Sequence, residues 1–384
     1  MTALSGDKPL RVAIIRQSYR PDGGAERFVS RAMAALSEQN IELTVIARDW
    51  SGAGNFQALL CDPPYKGRVA REQGFSEAVC ALLKEHEFDL VQSHERVPCG
   101  DIYRAGDGVH REWLRQRSRV QGLLKNWLQS RSGFHRYVLA AERAVFENPE
   151  LKAVICNSRM VRDEILQEFQ IPAERIHVIY NGVDLERFHP DCRAQREELR
   201  RKYGIDNATP VMLFVGSGFE RKGLASAIRS VAEADKGMHL WVVGKDKQQR
   251  RYERLARRLG IQNQVHFFGV QQDVRPFYGA ADAFLFPTLY DPFPNVVLEA
   301  MACGLPVITS NKCGGAEYVL EGKNGMVADA LDIPSLSKAV VSLADQERAR
   351  VMGDVARSSV MALDISAMAQ QLIQLYRTLL GITS

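Results

Sequence analysis

Apolar residues fall along this chain in short β-rich blocks, separated by longer stretches in which they recur every three or four positions. That spacing is the mark of strands alternating with amphipathic helices. In the first half it predicts a strand over Arg11 to Arg16, a helix over Ala25 to Gln39 and a strand over Ile41 to Ala47. Later strands are expected at Phe88 to Gln92 and Ala153 to Cys156, with a long helical region between them. The segment VIYNGVDLERFHP, Val178 to Pro190, joins a strand to Asn-Gly turn chemistry and a proline, and reads as a domain boundary.

Beyond it the rhythm restarts. Strands are predicted at VMLFVG (211–216), HLWVVG (239–244), VHFFG (265–269), AFLFP (283–287) and PVITS (306–310). Helices are predicted from Leu224, up to Leu259, over Val274 to Gly279 and around Glu299, and three more over Pro334 to Ala344, Gln346 to Ser358 and Ile365 to Leu380 close the chain. Such alternation gives doubly wound, parallel α/β sheets, which bind ligands at the carboxyl ends of their strands. Two of them would place a cleft between domains, with the chemistry in loops that follow strands.

Composition agrees with two domains: 384 residues exceed one typical core, and 46% hydrophobic with 25% charged residues is ordinary for a globular protein. No apolar run approaches the roughly 18 residues of a membrane span, and the first, Val12 to Ile15, is too short and too internal for a signal peptide. A cytoplasmic protein is expected. The seven cysteines form no CxxC pair or zinc-like cluster, so reduced, mostly buried thiols are expected and metal ligands are not. A net charge of +4 is too small to imply nucleic acid.

The strongest chemical signal is YDPFPNVVLEAMACGLPV, Tyr290 to Val307. It supplies a carboxylate at Asp291 after a strand, places Asn295 at an expected helix N-cap, and sets Glu299 four residues into that helix. A capping-box glutamate would occupy position 298, which is Leu298, so Glu299 needs another partner. A helix N-terminus beside two carboxylates suits phosphate oxygens and sugar hydroxyls. The second signal is GSGFERKG, Gly216 to Gly223, which lacks the GxxxxGK[ST] of a P-loop but sets Arg221 and Lys222 at a helix start. Cations there oppose the helix dipole, and a diphosphate would account for them. No D-x-D pair occurs, so a diphosphate would be neutralised by helix N-termini, Arg221 and Lys222 without a metal.

The second half resembles the donor-binding domain of retaining glycosyltransferases of the GT-B fold, family 4. The residues that carry the resemblance are NGVDLERF, VGSGFERKGL, HFFGV and the acid-x7-acid motif from Asp291 to Glu299 running into EAMACGLPV. With RPDGGAERF and YRAGDGVHREW in the first half, the chain is most similar to the bacterial lipopolysaccharide core glucosyltransferases, over nearly its whole length.

The resemblance implies a fold of two Rossmann-like domains: residues 1–182 for the acceptor, 183–360 for the nucleotide sugar, and a helix over 361–384 crossing back to the first. It implies transfer of a hexose from a UDP-sugar, UDP-glucose in the first instance, to a glycan acceptor such as the lipopolysaccharide core, with retention, no metal and no cofactor. Glu299 would hold the ribose; Asp291, with Phe293, Asn295 and Val296, would hold the donor sugar. Arg221 and Lys222, with Gly216, would face the diphosphate, and backbone near Val270 would read the base. Asp107, in AGDGVH, would lie by the reacting centre, with His94 and His110 as acceptor-side candidates. Three departures bear on the donor: Asp291 stands where the family usually has Glu, Pro294 where many members have Gly, and Ser217 where relatives often carry Arg. The same fold also serves transferases of other surface glycans or glycolipids, and nucleotide-sugar epimerases and phosphorylases; a non-catalytic sugar-nucleotide binder is a further alternative.

The pair Gly23-Gly24 lacks the third glycine of G-x-G-x-x-G, which argues against a dinucleotide cofactor. On the resembled fold it would line the cleft opposite Arg221 and Lys222. Finally, His110 to Arg143 carries eight basic residues against two acids, interleaved with Trp113, Leu114, Leu123, Leu124, Trp127 and Leu128. Arg115, Arg117, Arg119 and Lys125 beside Trp113 and Trp127 read as an interfacial patch for the anionic inner face of a membrane, the alternative being a core helix with a solvated basic face. No nucleic-acid motif accompanies these charges.

Overall fold

The structure is a computed structural model that describes residues 9–19, 41–50, 57–234 and 237–382. Gly23, Gly24 and the helix expected over Ala25 to Gln39 lie outside the described residues. The chain divides into two compact units, Met1–Tyr180 with Ile365–Ser384, and Asn181–Asp364. The division falls two residues before the expected 182, because Asn181 Nδ2 donates to Phe293 O (3.3 Å) and Asn295 Oδ1 (2.8 Å) of the second unit.

The first unit is built on a seven-stranded parallel sheet in the order Gln57–Leu60, Ile41–Ala47, Leu10–Ile15, Leu90–Ser93, Ile102–Arg104, Ala153–Cys156, Ile176–Val178. Val12 to Ile15 are buried without alternation, as a strand covered on both faces requires. On one face Val12, Leu43, Leu90 and Ile155 pack against Met368, Leu372 and Tyr376 of the helix Ile365–Leu379, and Tyr376 Oη donates to Gln92 Oε1 (2.8 Å). On the other, Phe75 and Val79 of the helix Arg68–Leu82 meet Ala13, Ile15 and Ile46.

The long helical region expected before Ala153–Cys156 holds a short strand that was not expected, Ile102–Arg104, and then three helices, His110–Ser118, Leu123–Ser130 and Gly133–Phe146. Gly122 and Ser132 stand at the N-caps of the second and third, and Ser132 accepts from His135 N. The cysteines are not all free, since Cys80 and Cys99 are joined in a disulfide with Cα atoms 5.7 Å apart. The sheet brings together the helix end that holds Cys80 and the loop after Leu90–Ser93 that holds Cys99.

The second unit carries a six-stranded parallel sheet in the order Val265–Gly269, His239–Val243, Val211–Val215, Ala283–Phe286, Val307–Ser310, Gly325–Ala328. This is the Rossmann order, and it reverses between Val211–Val215 and Ala283–Phe286. The connections leaving those two neighbours run in opposite directions along the sheet and leave a crevice outside their carboxyl ends. That opening is where ligands bind in sheets of this kind.

Candidate active site

The turn after Val211–Val215 and the loop after Ala283–Phe286 meet at that reversal. Gly223 allows the approach: its φ is +76°, and a Cβ there would stand 1.8 Å from Pro287 O. Gly244, with φ +126°, lies so close to Gly216 that a Cβ would stand 2.1 Å from Gly216 O. The carbonyl of Arg221 accepts from Leu289 N and Thr288 Oγ1, both at 2.8 Å, and so fastens one loop to the other. Arg221 and Lys222 lie in the turn that precedes the helix Leu224–Ala234.

Lys222 Nζ donates to Asp291 Oδ2 in a largely buried ion pair, and Nζ also stands 5.2 Å from the centre of the Phe286 ring. Burial lowers the Lys222 pKa from its ordinary value, and the Asp291 carboxylate opposes that shift. Arg221 is more open: Nη1 lies 3.8 Å from Asp291 Oδ2 and donates to Tyr290 O at 3.4 Å. The backbone of Asp291 is fixed on both sides, its N donating to Lys312 O and its O accepting from Gly314 N, each at 2.9 Å. A lysine has three N–H donors, so Lys222 can hold Asp291 and still meet an anion.

The helix that follows runs Asn295–Ala302 with Pro294, not Asn295, at its N-cap. Proline offers no side-chain cap, and Val297 N donates instead to the Pro294 carbonyl at 3.1 Å. Asn295 is instead the first helical residue, with Oδ1 accepting from Asn181, while Phe293 is buried and Val296 half-buried. Glu299, half-buried one turn further on, accepts from Tyr278 Oη at 2.9 Å, and the same hydroxyl lies 3.4 Å from Val296 O. Tyr278 is the partner that the sequence pattern of Glu299 called for without identifying. Its own pKa is raised well above the ordinary value by burial and then by the Glu299 charge, so it remains a donor.

Gly216, Arg221, Lys222 and Asp291 are thus brought together, and Phe293, Asn295, Val296 and Glu299 continue from Asp291 along the same segment. Val270 stands at the end of the edge strand Val265–Gly269 and is 62% exposed, with Gly244 N donating to Gly269 O (2.7 Å) nearby. Asn181 was read only as a turn residue of NGVDLERF, and Tyr278 and Thr288 had no motif of their own. Only the need for a partner at Glu299 pointed toward one of them.

In the first unit the candidate groups also follow strands. Asp107, after Ile102–Arg104, has a side chain 80% exposed, with Arg96 Nη1 at 4.0 Å. Arg96 is held by the fully buried Glu142 (3.0 Å), which also accepts from His110 N. His110 Nε2 meets His135 Nδ1 at 3.0 Å, and burial, with Arg96 and His135 adding to it, pushes the His110 pKa down to about 4. His94 follows Leu90–Ser93, contacts Gln92 Nε2 at 2.8 Å, and is driven well below its ordinary pKa by burial and by Arg104 and Arg16.

The basic segment is less uniform than its sequence. Arg115 is committed to Glu112 (3.3 Å) and Glu168 (2.5 Å), and Arg119 donates to Gln116 (2.9 Å). Arg117 lies over Trp113 and Arg131 over Trp127, at 5.8 and 4.1 Å from the ring centres. The helix Leu123–Ser130 buries none of its residues; Leu123 is 90% exposed and Leu124 71%, beside exposed Lys125, Trp127 and Leu128. The feature with no structural purpose inside the unit is therefore an apolar face, with cations at its edge. Among the described residues no helix is long and apolar enough to cross a membrane.

Residues 195–358 match the family Glycosyl transferases group 1, and residues 22–187 match Glycosyltransferase Family 4. The lipopolysaccharide glucosyltransferase WaaG of Escherichia coli (strain K12) is 31% identical over 324 residues, 82% of this chain and 84% of that one. The lipopolysaccharide core biosynthesis glycosyltransferase LpsE of Rhizobium meliloti (strain 1021) is 27% identical over 84% of this chain and 86% of its own length. The crystal structure of WaaG, a glycosyltransferase involved in lipopolysaccharide biosynthesis, superposes with a TM-score of 0.81 at 27% identity, covering 95% of this chain and 99% of the other. With the strand order, the paired acids and the basic turn, these likenesses make the chain a member of the group 1, family 4 glycosyltransferases of the GT-B fold.

Proposed function

We propose that the protein transfers a hexose, glucose in the first instance, from a UDP-sugar to a glycan acceptor of the lipopolysaccharide-core type, with retention at the anomeric carbon and without a metal. The observation that carries this reading is the meeting of Arg221 and the Lys222–Asp291 pair at the sheet reversal, with the Tyr278-bound Glu299 on the next helix. In this reading Glu299 accepts from the ribose hydroxyls, and Asp291 with the backbone from Phe293 to Val296 holds the sugar. Backbone at Val270 meets the uracil. As the bond from the anomeric carbon to the diphosphate breaks, negative charge grows on the departing oxygen, and Arg221, Lys222 and the amides of the Gly216 turn face it. Asp107 and His110 serve the acceptor, whose hydroxyl attacks from the face the diphosphate leaves. Glucose follows the name of the WaaG glucosyltransferase, whereas retention and the UDP carrier follow the resemblance to the family.

The protein would work at the inner face of an anionic membrane, with the exposed Leu123, Leu124, Trp127 and Leu128 seated at the headgroup boundary and Lys125 and Arg131 beside them. Cosedimentation with vesicles of anionic lipid tests this: Leu124→Glu with Trp127→Glu should abolish binding, whereas Arg115→Glu should act mainly on stability. Vesicle binding unchanged by the first pair would remove the membrane reading. For the transfer itself, UDP release from UDP-glucose should depend on a truncated core acceptor. Release or sugar modification without any acceptor would favour an epimerase or phosphorylase.

A further inference from the structure

On the second unit, a cavity of about 480 Å³ opens between the short helix Pro190–Gln195 and the first turn of Arg275–Ala280. Arg187, His189, Cys192, Gln195, Asp273 and Arg275 line it. Arg275 is engaged with Asp273 at 2.6 Å, whereas Arg187 Nε is buried with no hydrogen-bond partner among the described residues. The lining thus mixes both signs of charge and keeps a donor in reserve. None of these residues belongs to the proposed donor site.

Cys192 is half-buried at this cavity, and the fully buried Cys303 is its neighbour across the contact between the two segments. The two segments are locked together around that contact. Arg193 Nη2 donates to Gly304 O at 2.9 Å, and Gly279 lies so close to Cys192 O that a Cβ would stand 2.0 Å from it. Cys303 ends the helix Asn295–Ala302 one turn after Glu299, and Tyr278, which holds Glu299, feels both thiols. Two neighbouring cysteines, one on the lining of a cavity with mixed charge and one buried behind it, have the arrangement of an attacking and a resolving thiol.

We propose that Cys192 is a thiol–disulfide exchange site for a small zwitterionic disulfide of the glutathione type, with Cys303 as the resolving thiol. The Cys192 thiolate attacks one sulfur of the disulfide, a mixed disulfide forms, and one thiolate leaves. Cys303 then attacks Cys192 Sγ, the mixed bond breaks, and the second thiolate leaves. Two protein thiols become one disulfide, the reagent is reduced to two thiols, and the two thiol protons pass to the two leaving thiolates.

Local chemistry favours this site over the other cysteines. The neighbouring Cys303 thiol, with help from the Arg193 charge, holds the Cys192 thiol below its ordinary pKa. Cys303 is raised chiefly by its neighbour Cys192, a restraint that disappears once Cys192 is capped. Burial pushes Cys156 and Cys313 up to about 12 and raises Cys61, and Cys80 is already joined to Cys99.

The test is peptide mass mapping of the full chain after incubation with glutathione disulfide and alkylation of the remaining thiols. An adduct should form first on Cys192 and give way to a Cys192–Cys303 bond. Cys303→Ser should accumulate the adduct on Cys192, and Cys192→Ser should leave Cys303 free. A free Cys192 in the wild type, or equal labelling of Cys303 in Cys192→Ser, would overturn the proposal; Cys192→Ala serves if the serine variant does not fold. Because Cys303 ends the helix of Glu299, the oxidised protein should bind UDP about tenfold more weakly, with recovery on reduction. This last effect rests on the donor reading. UDP affinity unchanged by oxidation would overturn the link to Glu299, whereas UDP binding to neither form would overturn the donor reading and leave the exchange chemistry standing.

Discussion

At the carboxyl end of the second sheet most of the ionisable groups are buried or half-buried and tied to one another, Lys222 to Asp291 and Glu299 to Tyr278, with Arg221 more open. At the carboxyl end of the first sheet, Asp107 stands 80% exposed, and the burial there is spent one layer deeper, on Glu142 with Arg96 and on His110 with His135. Both sheets reverse strand order in the same manner, so topology alone does not explain the contrast. The difference is one of preorganisation. Groups that face a growing charge act most strongly when they are fixed and dry before the reaction, because no reorganisation then accompanies it. A group that meets a large glycan can wait exposed and be ordered by that partner.

The largest effect that would sharpen this contrast is expected at Lys222. Lys222→Met should lower kcat/KM by about 10³-fold. It should also leave the buried Asp291 without its closest cation, at a cost of about 3–5 kcal/mol in unfolding free energy. Kinetics and denaturant melts check both, and Asp291→Asn in the same background should restore much of the stability and none of the rate. A Lys222→Met protein of wild-type stability would mean that the pair is not preorganised.

A smaller effect is expected across the comparison. Asp107→Ala should lower kcat by about 10²-fold and leave UDP affinity, read by calorimetry, unchanged. Equal losses in both quantities would erase the division of labour between the two ends.

The smallest effect is on acid stability. Burial holds His110 in the first unit and His239 in the second at about 4, against an ordinary value of 6.5, so both are neutral in the folded chain near neutral pH. Between about 4 and 6.5 the unfolded chain takes up protons that the folded chain refuses. The stability these groups contribute is therefore full above that window and lost as pH falls through it. The melting-temperature difference between wild type and His110→Gln should narrow as pH falls from 6.5 toward 4, and the pH–rate profile should show no step from His110 near 6.5.

Much of this architecture is legible in the chain because the strands that form it are continuous apolar runs, such as Val211–Val215, closed by glycines that mark their carboxyl ends. The Arg221-Lys222 turn and the Asp291–Glu299 spacing are legible for the same reason, as both sit just after such runs. What could not be read depends on pairing across the fold. Lys222 meets Asp291 from 69 residues away, and Tyr278 meets Glu299 from a helix with no motif of its own. Ile102–Arg104 is three residues long, too short for a period to register. The Cys80–Cys99 bond joins a helix to a loop 19 residues on, and Pro294 took the N-cap that Asn295 was expected to hold, since Asn295 had a partner in Asn181.

Mass spectrometry of a truncated lipopolysaccharide core acceptor, incubated with a panel of UDP-sugars and either the wild type or Glu299→Ala, tests the central claim most directly. The acceptor should gain one hexose from UDP-glucose with the wild type, in the presence of a chelator as well as without it, and none with Glu299→Ala. Transfer by Glu299→Ala at the wild-type rate, or no hexose gained from any UDP-sugar, would contradict it.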